Sequence, residues 1–233
     1  MNYLKSDWDR SYSHGDNFIF YPHEEVIRFF ARNVRKRVGI DTFKDQDGIS
    51  SKSKILDLGC GIGRHVRFCD DMKLEAYGID LSEVAIAEAK NLCKWEGRHH
   101  LIERFQVGSI TKMTFTNDTF DVIISHGVLD SMDFEFAKAA ILECRRILKQ
   151  SGKFYLDLIS GDDQNHWPEF AGEEHVSIEH EKNTIQSYFN FARIQELIQD
   201  QFALEECRLV QNRNMIGPGW YGRYHIVLTQ LDR

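Results

Sequence analysis

An α/β fold, with a mainly parallel sheet covered by helices on both faces and a helical cap at the N-terminus, is what this 233-residue sequence predicts. Three observations predict it. From Lys54 onward, short apolar runs alternate with segments of helical period. The run "ILDLGCGIGRHV" (55–66) sets a glycine-rich turn between a buried strand and a helix. An acid, Asp80, closes the next strand, 17 residues after Gly63.

Composition is that of an ordinary globular protein, with 42% hydrophobic and 28% charged residues, and the length allows one substantial core with an appended cap. A formal charge of −7 and a pI near 5.8 count against a broad nucleic-acid surface, which needs a basic face. The cysteines (Cys60, Cys69, Cys93, Cys144, Cys207) are odd in number and form no CxxC pair. Neither a disulfide framework nor a zinc knuckle fits, and reduced thiols in a cytoplasmic protein are expected. The polar, acidic start "MNYLKSDWDRSYSHGDN" is no signal peptide, and no apolar run reaches membrane-spanning length.

Residues 1–50 read as the helical cap. Val26, Ile27, Phe29, Phe30, Val34 and Val38 follow helical spacing in "FIFYPHEEVIRFFARNVRKRV", with Pro22 in the first turn. Arg32, Arg35, Lys36 and Arg37 then form a solvated helix face. "DTFKDQDGISSKSK" is a connecting loop. The remaining unit, 51–233, opens with the strand "KILDL", the helix "GRHVRFCDDM" and the strand "LEAYGID". Ser82 is a suitable N-cap for "SEVAIAEAKNLCKWEG". The strands "ERFQVGS" and "FDVIISHG", the helix "DFEFAKAAILECRRILKQ" and the strand "KFYLDLIS" follow. A polar insertion at about 160–183, of a length often tied to function, precedes the helix "NFARIQELIQDQF" and strands at "ALEECRLVQN" and "GRYHIVLTQL".

In open parallel sheets, ligands sit at the carboxyl ends of the strands, where glycines let the backbone approach closely. "GCGIG" meets a GxGxxG pattern only in part, because the sixth position is Arg64, and a lone GxG is weak. Asp80 strengthens it: an acid there accepts hydrogen bonds from both hydroxyls of a ribose. Dinucleotide oxidoreductases and S-adenosylmethionine enzymes share that clamp.

Motif order separates the two. "ILDLGCGIGRH" closely resembles the first motif of class I S-adenosylmethionine-dependent methyltransferases, with its acid two residues before the first glycine. "YGIDLSEVAIAEAK", "FQVGSI", "FDVIISHGVLD" and "LKQSGKFYLDL" resemble the later motifs in order, across roughly 54–160. The resemblance implies a Rossmann-like, seven-stranded sheet whose last strand is antiparallel, and S-adenosylmethionine as cofactor, with S-adenosylhomocysteine as product. It further implies that Asp57, with Gly59 and Gly61, borders the methionine moiety, and that Cys60 and Arg64 of the same motif are cofactor-binding residues. Asp80 would hold the ribose hydroxyls, Leu81 and Ile110 would pack on the two adenine faces, and Ser109 would bond near the adenine amino group. His126 would lie beside the methyl. Ser109 departs from the usual acid and removes a charge from that bond. "SHGVLD" lacks the Asn/Asp-Pro-Pro-aromatic signature of enzymes that methylate base amines.

Structural readings stand beside these roles. The glycines also serve strand-to-helix packing, and Asp80 also suits a helix N-terminus. Asp57, on a buried strand, needs partners: backbone amides and the ligand's ammonium are expected. His126 is a general-base candidate near neutral pH or a satisfied structural histidine, and Asp130 would orient it or face the substrate. Among the cap aromatics, Tyr12, His14 and Tyr21 are candidates to line the site, with His14 a further catalytic candidate. His175 and His180 lie among Glu173, Glu174, Glu179 and Glu181, but five-residue spacing does not stack them on a helix face, so no metal site is expected. The expected activity is methyl transfer to an oxygen or nitrogen of a small molecule by a monomer or homodimer. The alternatives are a noncatalytic module that binds the cofactor or its product, and a protein or RNA methyltransferase.

Overall fold

The computed structural model describes residues 2–15, 17–177 and 184–231. Its centre is a seven-stranded sheet. Strands β3 (Lys54–Leu58), β4 (Glu75–Asp80), β5 (Phe105–Val107), β6 (Phe120–Ser125) and β7 (Leu148–Ile159) pair in parallel, β3 between β4 and β6. Strand β11 (Trp220–Gln230) runs antiparallel to β7 and to β10 (Phe202–Arg213), giving the order β10-β11-β7-β6-β3-β4-β5. The antiparallel strand is thus β11, next to last in spatial order. Ile55, Leu56 and Leu58 on β3 and Val122, Ile123 and Ile124 on β6 are all buried, as strands covered on both faces require.

The helices start where their caps say. Ser82 Oγ accepts the Ala85 N–H at 3.1 Å and opens α4 (Glu83–Trp95). Asn190 Oδ1 accepts the Arg193 N–H at 2.9 Å and opens α6 (Phe191–Ile198). Helix α3 (Arg64–Asp71) has no side-chain cap: Gly63, at φ 79°, turns the chain, and a Cβ there would come within 2.7 Å of the Phe105 ring. Gly63 therefore serves packing. Helix α5 (Phe134–Ile147) buries Ala137, Ala140, Ile141 and Cys144 on one side of the sheet.

The N-terminal region differs from the sequence reading. Helix α1 covers Asn2–Ser13, and α2 covers only Glu24–Asn33, with Pro22 just outside its cap residue His23. The helix does not continue to Val38. Instead Arg35–Arg37 (β1) pairs antiparallel with Phe43–Asp45 (β2), inside the expected loop. Arg35 is buried, not solvated. Its guanidinium donates to Asp45 Oδ2 at 3.0 Å and to the carbonyls of Met72 and Lys73 at 2.9 and 3.0 Å, satisfying oxygens at the C-terminal end of α3. The polar insertion also gains order, because Gly172–His175 (β8) pairs with Ile185–Tyr188 (β9).

Candidate active site

The site forms where β3 and β4 end. Gly59 and Gly61 both have positive φ, at 58° and 53°, a region L side chains rarely enter. Asp80, at the end of β4, ties this turn to the sheet: its Oδ2 accepts the Gly61 N–H and its Oδ1 the Ser82 N–H, each at 2.8 Å. Burial pushes the Asp80 carboxyl up to about 6, against the lowering effect of those two amides. Each carboxylate oxygen keeps a further lone pair for a ligand hydroxyl.

Two cavities adjoin the turn. The first is mainly apolar, walled by Leu81, Ile110, Val128, Met132 and Phe136, with Asp80 and Ser109 supplying polar atoms. The second is polar and is lined by Arg64, His65, His126, Asp130, Gln186 and Arg223. Trp8, Tyr12, Gly59, Gly127 and Ser131 line both, so the two chambers meet at the glycine turn beneath α1. Helix α1 is fastened there by Asp9, whose Oδ1 accepts the Ser82 hydroxyl at 2.6 Å, and by the Lys5–Glu83 ion pair at 2.6 Å.

The polar chamber is a network of imidazoles and carboxylates from distant parts of the chain. The His126 ring lies 4.0 Å from that of His23 and 5.6 Å from that of His65, centroid to centroid. Arg64 Nη2 meets His126 Nδ1 at 3.2 Å, and His126 Nε2 faces Asp157 Oδ2 at 3.4 Å. The His23 N–H donates to His65 Nε2 at 3.2 Å, which leaves the His65 proton on Nδ1, 3.5 Å from Asp57 Oδ1. Burial holds His23 and His225 below the usual histidine range and His126 well below it, although Asp157 opposes the shift in each. Asp157 Oδ1 accepts the Gly127 N–H at 2.7 Å, and its Oδ2 pairs with Arg223 Nε at 2.8 Å. Arg223 also pairs with Asp130 Oδ2, which accepts the Ile159 N–H at 2.9 Å. The two acids share one guanidinium with opposite results. Asp157 is lowered by Arg223 and His126 despite burial, whereas burial pushes Asp130 up to about 6.

The expected site residues divide. Gly59, Tyr12, Asp80, Leu81, Ser109 and Ile110 line the apolar chamber, while Cys60, Gly61, Arg64, His126 and Asp130 line the polar one. Asp57 is buried beneath, held by His65 and not by the expected backbone amides, with Oδ2 unpartnered among the described residues. Cys60 is buried, and desolvation raises its thiol well above the usual range, so it is an inert wall. Asp130 does not orient His126; Asp157 faces that ring instead. His14 is at the surface just past α1, its Nδ1 2.8 Å from the Arg10 carbonyl of that helix, and lines neither chamber. Tyr21 is 83% exposed, and only its carbonyl approaches the site, 3.5 Å from Arg64 Nη1. Of the suspected metal group, His175 is exposed on β8, and His180, Glu179 and Glu181 lie outside the described residues. Among the described residues no cluster of His, Cys, Asp or Glu is arranged to hold a metal, and no helix is long and apolar enough to cross a membrane. Sequence reasoning missed His23, His65, Gln186, Arg223 and Asp157. Only Asp157 left a signal: a lone acid in the apolar strand "FYLDLIS".

Residues 56–156, which include Asp57, the glycine turn, Asp80, Ser109, His126 and Asp130, match the model of a family described as "Methyltransferase domain". Through that stretch, less than half of the chain, the sequence is similar to this family, and its sheet has the Rossmann-like order of the class I S-adenosylmethionine-dependent enzymes. It is 29% identical over 174 residues to the glycine/sarcosine/dimethylglycine N-methyltransferase of Actinopolyspora halophila, covering 69% of this chain and 28% of that protein. It is 27% identical over 175 residues to phosphoethanolamine N-methyltransferase 3 of Arabidopsis thaliana, covering 72% and 35%. In fold it resembles Burkholderia thailandensis 1,6-didemethyltoxoflavin-N1-methyltransferase, solved with 1,6-didemethyltoxoflavin and S-adenosylhomocysteine bound. The TM-score is 0.69 at 16% identity, covering 98% of this chain and 88% of that one. The matched stretches span less than half the length of the curated relatives, between 28% and 42%.

Proposed function

We propose that this protein is an S-adenosylmethionine-dependent methyltransferase acting on an oxygen or nitrogen of a small molecule. The observation that carries the reading is the pair of chambers, one apolar and one polar, joined at a glycine turn whose amide is held by Asp80. Asp57 Oδ2, buried with no partner among the described residues, fits a ligand ammonium, because a charged oxygen left unpaired there is costly. In this reading Asp80 takes the ribose hydroxyls through its remaining lone pairs, and Leu81 and Ile110 enclose the adenine, with Ser109 at its amino edge. Arg64, which forms no ion pair within 4.0 Å among the described residues, offers its guanidinium to the methionine carboxylate. S-adenosylmethionine supplies an electrophilic methyl on a sulfonium sulfur.

The chain's own work is alignment. Holding the acceptor in the polar chamber, in line with the methyl, supplies much of the rate by proximity. Trp8 and Tyr12 on α1 roof both chambers and exclude water from the junction. The free cysteines, buried except for the part-buried Cys207, support a cytoplasmic location. Isothermal titration with S-adenosylmethionine, S-adenosylhomocysteine and NAD tests the reading. Micromolar binding of the first two and none of NAD is expected; NAD binding alone sinks it. Turnover of acceptor then separates an enzyme from a noncatalytic binding module.

A further inference from the structure

We infer that the methyl acceptor is an amine whose N–H is held by Asp130 Oδ1. The inference rests on the methyl-transfer reading of the site and names the acceptor class that reading leaves open.

The groups in the polar chamber that can take a proton are His65, His126 and Asp130. His65 is occupied at both ring nitrogens, by the His23 N–H and by Asp57. The His126 lone pair is taken: a guanidinium has only donors, so Nδ1 must accept from Arg64, and the proton sits on Nε2, which faces Asp157 at 3.4 Å without a hydrogen bond among the described residues. Neither imidazole offers a lone pair to an acceptor molecule. Asp157 is turned inward onto the Gly127 N–H and Arg223. Asp130 is different. Its Oδ2 takes the Ile159 N–H and Arg223, while Oδ1 is buried with no partner among the described residues. An unpaired carboxylate oxygen in a lining residue calls for a donor, and in this chamber the acceptor molecule supplies it.

Charge and basicity then choose nitrogen over oxygen. Asp130 and Asp157 share the single cation Arg223, so the trio carries one excess negative charge when both acids are ionised. That excess complements the positive charge that grows on an attacking amine. The other groups facing the trio are His126 from the end of β6, His23 ahead of α2, Tyr155 on β7, His225 on β11 and Gln186 from β9, with Arg64 across the chamber. A carboxylate is too weak a base to strip an alcohol, and the stronger candidate, His126, is engaged. A neutral amine needs no base before attack. Its lone pair forms the nitrogen–carbon bond as the carbon–sulfur bond breaks, with that bond's electron pair going to sulfur. The surplus proton on the alkylated nitrogen passes to Asp130 Oδ1.

Two analogues of S-adenosylmethionine test this. In both, nitrogen replaces the sulfonium sulfur; the methyl becomes a 2-aminoethyl arm in one and a 2-hydroxyethyl arm in the other. Titration calorimetry at pH 7.5 should find the amine arm about 10- to 100-fold tighter, the range for hydrogen bonds to charged groups. Asp130→Asn should bring the two arms to within about twofold while S-adenosylhomocysteine still binds. With wild-type protein the preference should shrink as pH falls through about 6, where Asp130 protonates. Equal binding of the arms, a tighter hydroxyl arm, or a preference unchanged from pH 7.5 to 5 overturns the inference, and the pH series stands even if the variant does not fold. Failure of S-adenosylhomocysteine itself to bind overturns the cofactor reading, and the inference with it.

Discussion

Arg64 Nη2 donates to His126 Nδ1 across 3.2 Å, and this one bond settles which nitrogen of His126 carries its proton. Long-range ¹⁵N NMR should show the Nε2–H tautomer at neutral pH, and no protonation on lowering the pH to 6. Arg64→Ala should free Nδ1 and let the tautomers mix. A wild-type His126 that titrates near 6.5 contradicts the geometry.

The same burial gives a pH dependence of stability. His23, His126 and His225 have folded pKa values below the unfolded one, so below about 6.5 the unfolded chain binds more protons than the native protein. Their contribution is complete about one pH unit above that value and is lost as pH falls through it. Asp80 and Asp130 act oppositely: raised to about 6, they favour the folded state as pH drops through 6 toward 4. The melting temperature should therefore fall from pH 7.5 to 6.5 and flatten below 6. Calorimetric scans across that range check it, and a rise between 7.5 and 6.5 counts against it.

Asp80→Ala should weaken S-adenosylhomocysteine binding by about 10-fold or more, from lost charge-assisted hydrogen bonds. It also strips the Gly61 and Ser82 amides of their acceptor, at about 1–3 kcal/mol of stability. Titration calorimetry and urea unfolding on one preparation separate the two losses.

Gly61→Ala brings a Cβ within 2.6 Å of the Tyr12 hydroxyl, at a φ of 53° that costs an L residue about 1–2 kcal/mol. Tyr12→Phe removes the struck atom, and the next nearest lies at 3.4 Å. The double variant should recover part of the loss, leaving the backbone strain. Strict additivity of the two single changes in urea unfolding would show that Tyr12 does not cover the turn.

Asp9→Ala should raise amide exchange across α1, because Asp9 accepts from the Ser82 hydroxyl at 2.6 Å in a part-buried contact. Lys5→Ala, losing a pair with the largely exposed Glu83, should change exchange little, since water screens so exposed a pair. His14→Ala and Tyr21→Ala should leave S-adenosylhomocysteine affinity within about twofold; these side chains line neither chamber. Equal exchange in Asp9→Ala and wild type means that α1 is held by packing alone.

The parts legible in the sequence are those written within one element and its turn. The parallel strands show as apolar runs, Ser82 marks the start of α4, and Asp57, the glycines and Asp80 sit at fixed offsets from strand ends. These signals are local because strand burial, helix capping and positive φ each depend on a few neighbouring residues. The same locality misled at Arg35: its apolar and basic neighbours have helical period, but the carbonyls at the end of α3 and the Asp45 carboxylate took the guanidinium and drew the segment into a hairpin. The polar chamber was settled by tertiary structure alone. His23, His65, His126, Asp157 and Arg223 come from α2's cap, α3, the end of β6, β7 and β11, and no spacing along the chain relates them. Sheet order β3-β6-β7-β11 is replaced along the chain by long separations, so only folding sets Arg223 between Asp130 and Asp157. That placement decides which Asp130 oxygen is left without a partner among the described residues.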